Sequence, residues 1–208
     1  MLAIDPAQLS ALDRYRLLIA GVAPRPIAWV TTCAASGAVN LAPYSFFNGV
    51  TARPPTLMIS IGHRDPAKDT LTNLRASGEA VVQLPRPQDL DAVHQSGGEY
   101  RAGVNEAEVL GVDLVPSDVV APPRVADAPV AFECRLVQET AIGDPAAAVC
   151  FLEILRCHVA DAVAAADGLP DPHKLVTLAR LGERSYLQAE AWQVSDRDKQ
   201  IVPEDLRR

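Results

Sequence analysis

Short runs of branched and aromatic residues, each cut off within a few positions by proline or glycine, fill the first third of this chain and constrain its fold more than any other feature. Pro26-Ile27-Ala28-Trp29-Val30-Thr31-Thr32 reads as a strand, and Ala35-Ser36-Gly37-Ala38 turns it back into Val39-Asn40-Leu41-Ala42. That pattern is a hairpin. Residues 45–51 and 56–61 make two more extended runs, kept apart by Arg53-Pro54-Pro55, which no interior ladder position accommodates. Helical periodicity is sparse. Leu9, Leu12, Tyr15, Leu18 and Ile19 predict an N-terminal helix capped at Asp5-Pro6 or Ser10 and ended by Gly21 and Pro24. Leu71 and Leu74 predict a short second helix that starts near Lys68-Asp69-Thr70 and stops before Gly78.

A strand at 80–84 follows, and then residues 85–128 become rich in proline and glycine, with helical stretches expected at 88–95 and 106–110. This segment reads as an excursion from the sheet, a lid or a dimer arm. Extended segments at 131–140 and 146–163, joined by Gly143-Asp144-Pro145, return to strand character, and 175–181 with 186–187 close the pattern. Many short strands without regular strand–helix alternation predict a mainly β fold, an antiparallel barrel with added helices. With no repeat or linker, residues 1–208 are read as a single domain, and 49% hydrophobic content suffices for one sizeable core.

The net charge of −7 and pI near 5.1 come from scattered acids, with none of the basic stripes a nucleic acid would need. No apolar run approaches the roughly 20 residues of a membrane-spanning helix, and Asp5 stands where a signal peptide would carry a base. No membrane contact is expected, and a cytoplasmic location is. Cys33, Cys134, Cys150 and Cys157 form no CxxC pair and are read as reduced, with Cys134 and Cys150 as small buried hydrophobes. His63, His94, His158 and His173 lack metal-ligand spacing with Cys or carboxylates, so no metal is expected and structural or solvated roles are favoured.

Neither GxGxxG, a P-loop nor GxSxG occurs, so a nucleotide-like cofactor must be held by other means. Three segments supply such means: Pro24-Arg25-Pro26-Ile27-Ala28-Trp29-Val30-Thr31-Thr32, Asn40-Leu41-Ala42-Pro43-Tyr44-Ser45-Phe46-Phe47-Asn48, and Lys68-Asp69-Thr70-Leu71-Thr72-Asn73-Leu74. In order and wording they resemble the flavin reductase-like domain, and the resemblance continues through Pro129-Val130-Ala131-Phe132-Glu133-Cys134 and Leu178-Ala179-Arg180-Leu181-Gly182. It spans about Tyr15 to Tyr186 and implies an FMN-binding split β-barrel, with FMN held non-covalently between two subunits of a homodimer.

FMN needs an anion site, polar groups for its ribityl chain and a flat apolar slot. Lys68, Asp69 and Thr70 open a helix, where free backbone N–H groups and the dipole favour a phosphate; the plainer reading is that Asp69 or Thr70 only caps that helix. The resemblance places Thr31 and Thr32 beside the flavin ring, although a threonine pair is also ordinary strand material. It runs Ser45, Phe46, Phe47 and Asn48 along the flavin, with one phenylalanine left to the core, and adds Ser60 and Arg180 as weaker members.

The function implied is transfer of hydride from NADH or NADPH to flavin, with the chemistry on the flavin and no catalytic side chain required. Such reductases often serve a separate monooxygenase. Two alternatives share the same cradle: an electron-transfer protein that keeps its FMN, as flavoredoxins do, and a non-catalytic flavin-binding module. Within the excursion, Tyr100 and Arg101 are candidates for contacting nicotinamide, against the plainer reading of a surface pair.

Overall fold

The helices begin and end where the sequence offers or withholds partners for their unpaired backbone groups. In the computed structural model, which describes residues 1–188, Asp5 caps only a 3-10 turn at Pro6–Gln8, whereas Ser10 Oγ accepts the N–H of Asp13 and opens α1 (Ala11–Gly21). The two capping alternatives thus both occur, on separate elements. Residues 189–208 of the single-domain reading lie outside the described residues.

After α1 come β1 (Arg25–Pro26), β2 (Ala28–Cys33), β3 (Val39–Tyr44), β4 (Phe47–Ala52) and β5 (Pro55–Ile61). Then α2 (Asp69–Ser77), ended by Gly78 in the left-handed conformation (φ 73°), leads to β6 (Glu79–Gln83). The excursion holds α3 (Leu90–Ser96), α4 (Glu106–Val109) and the small pair β7 (Leu114–Val115) and β8 (Arg124–Val125). The long hairpin β9 (Val130–Ile142) and β10 (Ala147–Val159) follows, and β11 (Leu178–Arg180) and β12 (Tyr186–Gln188) end the described chain. β10 stops short of the expected 163, because residues 161–163 turn as a 3-10 helix.

Seven strands form one antiparallel sheet in the order β3-β2-β6-β9-β10-β5-β4. Its two edges, β3 and β4, are joined in sequence by Ser45 and Phe46 alone, and β3 also contacts β5, so the sheet curls toward closure and stays split at this seam. β1 lies outside it and pairs with β11, tying the C-terminal hairpin to the chain just before β2.

Alternation along β2 sorts two cores. Ala28 and Val30 point into the barrel with Ile59, Val82, Cys150 and Leu152, and Leu71 and Leu74 of α2 pack against the same interior. Trp29 points outward, where it is 1% exposed because Val93, Ala107 and Val125 of the excursion cover it with Ile27 and Leu41. The segment read as an excursion, a lid or a dimer arm, packs part of its length as an outer layer over Trp29 and Leu41. Trp29→Ala would cost about 3–5 kcal/mol. The indole N–H also donates to Ser96 Oγ at 2.9 Å, fixing the end of α3.

Cys134 and Cys150 are fully buried free thiols, as expected of small hydrophobes, and burial pushes the Cys150 thiol up to about 11. Among the described residues no helix is long and apolar enough to cross a membrane.

Candidate functional site

Helix α2 starts without a side-chain cap. Its N-cap residue is Lys68, which has no acceptor to offer, and the N–H groups of Leu71 and Thr72 turn back to the Lys68 carbonyl. The expected alternative, that Asp69 or Thr70 caps the helix, is not what the structure has. Thr70 is 1% exposed, and its hydroxyl accepts from Asn40 Nδ2 at 2.9 Å. The other Asn40 donor reaches Thr32 Oγ1 at 3.3 Å, and Asn73 Nδ2 reaches the same oxygen at 3.0 Å. Thr32 and Thr70 thus lock α2 onto β2 and β3 and position the helix start.

That start opens into a cavity of about 190 Å³ lined by Arg64, Lys68, Asp69 and Thr70 on one side and by residues 96–100 of the excursion on the other. The Lys68 ammonium lies 5.6 Å from the centre of the Tyr44 ring, and burial beside Arg64 lowers its pKa. Burial raises the Tyr44 phenol to about 12, so it stays protonated. Glu106 also lines this cavity. Its Oε2 accepts the N–H of Leu41 at 2.9 Å, and burial pushes its pKa up despite that bond. Tyr100 sits in the same wall, at the helix-start end.

A second cavity, of about 320 Å³, adjoins the first along Pro43 and Gly97, which line both. A Cβ on Gly97 would stand 3.3 Å from Pro43 Cγ, a tight contact that a larger residue would relieve only by a shift of a few tenths of an ångström. The second cavity contains Ser45, Arg25, Arg180, His94 and Tyr186. Arg25 is 5% exposed and donates to the carbonyls of Ile19 (2.6 Å), Val22 and Leu181 (2.7 Å), stitching the end of α1 to the C-terminal hairpin. Arg180 lies over the Tyr186 ring at 4.4 Å and donates to its hydroxyl and to the Glu183 carbonyl. His94 Nδ1 is 3.2 Å from the same hydroxyl.

Of the sequence candidates, the fold gathers Lys68, Asp69 and Thr70 at one end of this groove and Ser45 and Arg180 at the other. Phe46 faces the Arg25 guanidinium at 5.8 Å, and Phe47 packs into the barrel core, so one phenylalanine of the pair is indeed internal. Asn48 is exposed on β4 and bonds the N–H of Gly49, while the N–H of Ser60 bonds the Phe46 carbonyl. Thr31 points to the outer face, where its hydroxyl donates to the Pro123 carbonyl at 2.5 Å and accepts from Gln83 at 3.4 Å, away from the groove. Arg25, Asn40, Tyr44, Arg64, His94, Glu106 and Tyr186 are among the groove residues that motif reading missed as individuals; Arg25, Asn40, Tyr44 and Tyr186 stood in or beside the matching segments.

The fold also brings together a group that sequence spacing hides. Ligand atoms of Asp118, Glu133 and His158 lie within 4.8 Å of one another, outside the lining of both cavities. The Glu133 oxygens are committed to the N–H groups of Asp118 and Val119 and to His158 Nε2, and Asp118 pairs with Arg156.

A family model described as the flavin reductase like domain matches residues 20–177. The chain belongs to the flavin reductase-like family. Its split-barrel sheet is the fold that this membership implied. An uncharacterised family relative from Halalkalibacterium halodurans is 38% identical over 189 residues, 88% of this chain and 90% of that protein. Among solved structures, nitrilotriacetate monooxygenase component B from Bacillus cereus superposes with a TM-score of 0.87 at 30% identity, covering 93% of this chain and 98% of the other. The 2-nitrobenzoate 2-nitroreductase of Pseudomonas fluorescens gives 0.86 at 28% identity, covering 100% and 99%.

Proposed function

We propose that this flavin reductase-like chain binds FMN non-covalently along the groove and serves as an NAD(P)H:flavin oxidoreductase. One observation carries the reading: α2 begins at an uncapped N-terminus with a cationic residue in the cap position and Arg64 beside it. Free N–H groups, a helix dipole and two cations are the means by which proteins hold a phosphate. Thr32, Asn40, Thr70 and Asn73 hold that helix start rigid, and Tyr44 carries Lys68 over its ring. The second cavity alone, and the two together, fall within the roughly 300–1,000 Å³ usual for small-molecule sites. Pro43, Ser45 and Phe46 lead from one to the other and are the residues proposed to lie along the flavin.

When bound, FMN supplies the two-electron chemistry, accepting hydride from NADH or NADPH. The polypeptide binds and orients it and leaves one side open for the nicotinamide. The similarity to nitrilotriacetate monooxygenase component B supports a role in delivering electrons to a separate monooxygenase. A homodimer is part of the proposal. Leu12, Tyr15 and Leu18 on α1 are about half exposed beside the second cavity, and β4 is an uncovered sheet edge, so a second copy would bury both.

Titration of FMN and riboflavin by flavin fluorescence, followed by anaerobic mixing with NADH and NADPH, tests this. FMN should bind more tightly than riboflavin, and one nicotinamide should bleach the bound flavin. Equal affinity for the two flavins would remove the phosphate site, and bleaching only by a protein donor would replace the reductase with an electron carrier. Sedimentation should report about twice the 22.2 kDa chain mass.

A further inference from the structure

The cavity at the start of α2 is lined by more acids than cations. Arg64 and Lys68 share it with three carboxylates, Asp69, Glu99 and Glu106, and the phenols of Tyr44 and Tyr100 complete its titratable lining. Counted as ionised, two cations against three carboxylates leave the lining at one net negative charge before any phosphate arrives. An anion gains nothing from that excess. The three acids differ in what water can do for them. Glu99 is exposed and Asp69 half-buried, whereas Glu106 is 5% exposed. It stands on α4, which packs against β3, where its Oε2 accepts the Leu41 N–H at 2.9 Å, and among the described residues it forms no ion pair with a cation. Glu108, the other acid of α4, is exposed and lies outside the lining. Of the three acids, Glu106 is therefore the one whose charge water screens least, and burial already favours its protonated form.

We infer that Glu106 keeps FMN exchangeable: its carboxylate takes up a proton when the FMN phosphate enters the cavity, so that flavin is held more firmly in acid and let go more readily as pH rises. The proton comes from the buffer and forms an O–H bond on the carboxylate, and no electrons move. This inference rests on the FMN reading above and sharpens it. A phosphate that shares a small cavity with an ionised, buried carboxylate is held less tightly than Arg64, Lys68 and the helix start alone would hold it. Flavin that arrives and leaves as a substrate is favoured by such a device over flavin kept as a fixed cofactor. Reciprocity sets the sign: if a proton on Glu106 strengthens phosphate binding, the phosphate strengthens the hold of Glu106 on that proton by the same factor. Riboflavin, which brings no phosphate into the cavity, should be indifferent to it.

Calorimetry of FMN binding in buffers of differing ionisation enthalpy, between about pH 5 and pH 8, counts the protons taken up. An affinity that depends about two- to fivefold on the Glu106 charge corresponds to a greatest uptake of about 0.2–0.4 proton. Wild type should take up that much more than Glu106→Gln, and with riboflavin the two should match. The subtraction removes the protons exchanged by the phosphate itself, whose pKa near 6 is common to both measurements. FMN dissociation, followed by the recovery of flavin fluorescence on dilution, should be about two- to fivefold slower in Glu106→Gln at about pH 8 and should converge with wild type in acid. Infrared difference spectra of the unaltered protein give a reading that does not depend on how the variant folds: FMN should add a protonated-carboxyl band, and riboflavin should not. Equal proton counts in wild type and Glu106→Gln overturn the inference and leave FMN binding in place. So does a carboxyl band that persists in Glu106→Gln, which would pass the proton to Asp69 or Glu99. An uptake as large with riboflavin as with FMN also overturns it, since the phosphate would not be the cause. A protein that binds no FMN at all sinks the proposed function, and this inference with it.

Discussion

Two carboxylates are buried against different strands of this sheet, Glu106 at the β3 edge and Glu133 on β9, and their surroundings differ sharply. Glu133, with a fully buried side chain, receives the N–H groups of Asp118 (2.8 Å) and Val119 (2.6 Å) and His158 Nε2 (2.5 Å). Burial alone would raise its pKa, but those donors outweigh it and hold the carboxyl below the usual range. Glu106 receives the N–H of Leu41, lies near Asp69, and is pushed upward chiefly by burial. The same contrast extends to their neighbours. Around Glu133 every polar group is spent on another, and the 117–122 loop is pinned to β9 and β10. Along the groove, α2 is uncapped and two arginines have no carboxylate partner among the described residues. Among the described residues the buried Arg124 Nε, outside both cavities, also lacks a partner, so spare polar capacity is not confined to the groove; what sets the groove apart is that its unspent groups line a cavity.

The largest effect should come from breaking the closed side. Glu133→Leu removes the charged acceptor of the Asp118 and Val119 N–H groups and the partner of His158; part-buried hydrogen bonds to a charged group are worth about 1.5–3 kcal/mol each, so a loss of about 3 kcal/mol in urea unfolding is expected. FMN affinity of the folded variant should hardly change. A loss below about 0.5 kcal/mol, within the range of ordinary surface substitutions, would mean that the Glu133 cluster is ornamental and the comparison empty. The pH dependence follows from the sign of the shift. A carboxylate whose folded pKa is depressed stabilises the protein above its unfolded value, near 4.3, and that stability drains away as pH falls through the lower folded value. Wild-type protein should therefore lose stability below about pH 4, and this component should be missing in the variant.

On the open side, Lys68→Ala should weaken FMN by about tenfold, the worth of one charge-assisted contact, and leave riboflavin nearly unaffected. Fluorescence titration of both flavins reads this directly. Equal losses would place Lys68 away from the phosphate and leave the missing cap of α2 without an explanation. Gly97→Ala should act on the junction between the cavities: its new Cβ stands 3.3 Å from Pro43 Cγ, so Pro43 or the end of α3 must give by a few tenths of an ångström, and FMN affinity should fall by a few-fold with little change in unfolding.

How much of this was legible beforehand follows from which physics each element obeys. Local rules located the strands, the start of α2 at Lys68 and its end at Gly78, because alternation, proline and glycine act within a few residues. The packing of the excursion was not legible, since nothing local says that Val93, Ala107 and Val125 converge on Trp29, with Val125 96 positions along the chain from it. Site residues divided the same way. Lys68 could be picked out because it stands at a helix start, but Thr31 and Thr32 look alike in sequence, and only the pleat sends one to Pro123 and the other to Asn40 and Asn73. Arg180 could be placed in the groove by resemblance alone. Its freedom from a counter-ion depends on where Glu183 points, which no motif encodes.

The smallest predicted effect is the sharpest test of the comparison, because it asks whether Glu106 is felt by the ligand at all. Glu106→Gln keeps an acceptor for the Leu41 N–H while removing a negative charge from the cavity that holds the uncapped helix start. Removing a like charge at a partly solvated site is worth about 0.5–1 kcal/mol, so FMN should bind about two- to fivefold more tightly at pH 8. Two titrations overlap here. The FMN phosphate gains charge with a pKa near 6, which strengthens binding with rising pH in both proteins. Glu106 also loses its proton as pH rises, at a value lifted by burial, and this weakens binding in the wild type alone. The ratio of the two affinities cancels the phosphate and isolates the glutamate. That ratio should be close to one at low pH and climb toward its full value as Glu106 ionises. A ratio that stays flat from pH 5 to pH 8 would show that the charge on Glu106 does not reach the phosphate, and that its burial serves only to hold α4 against β3.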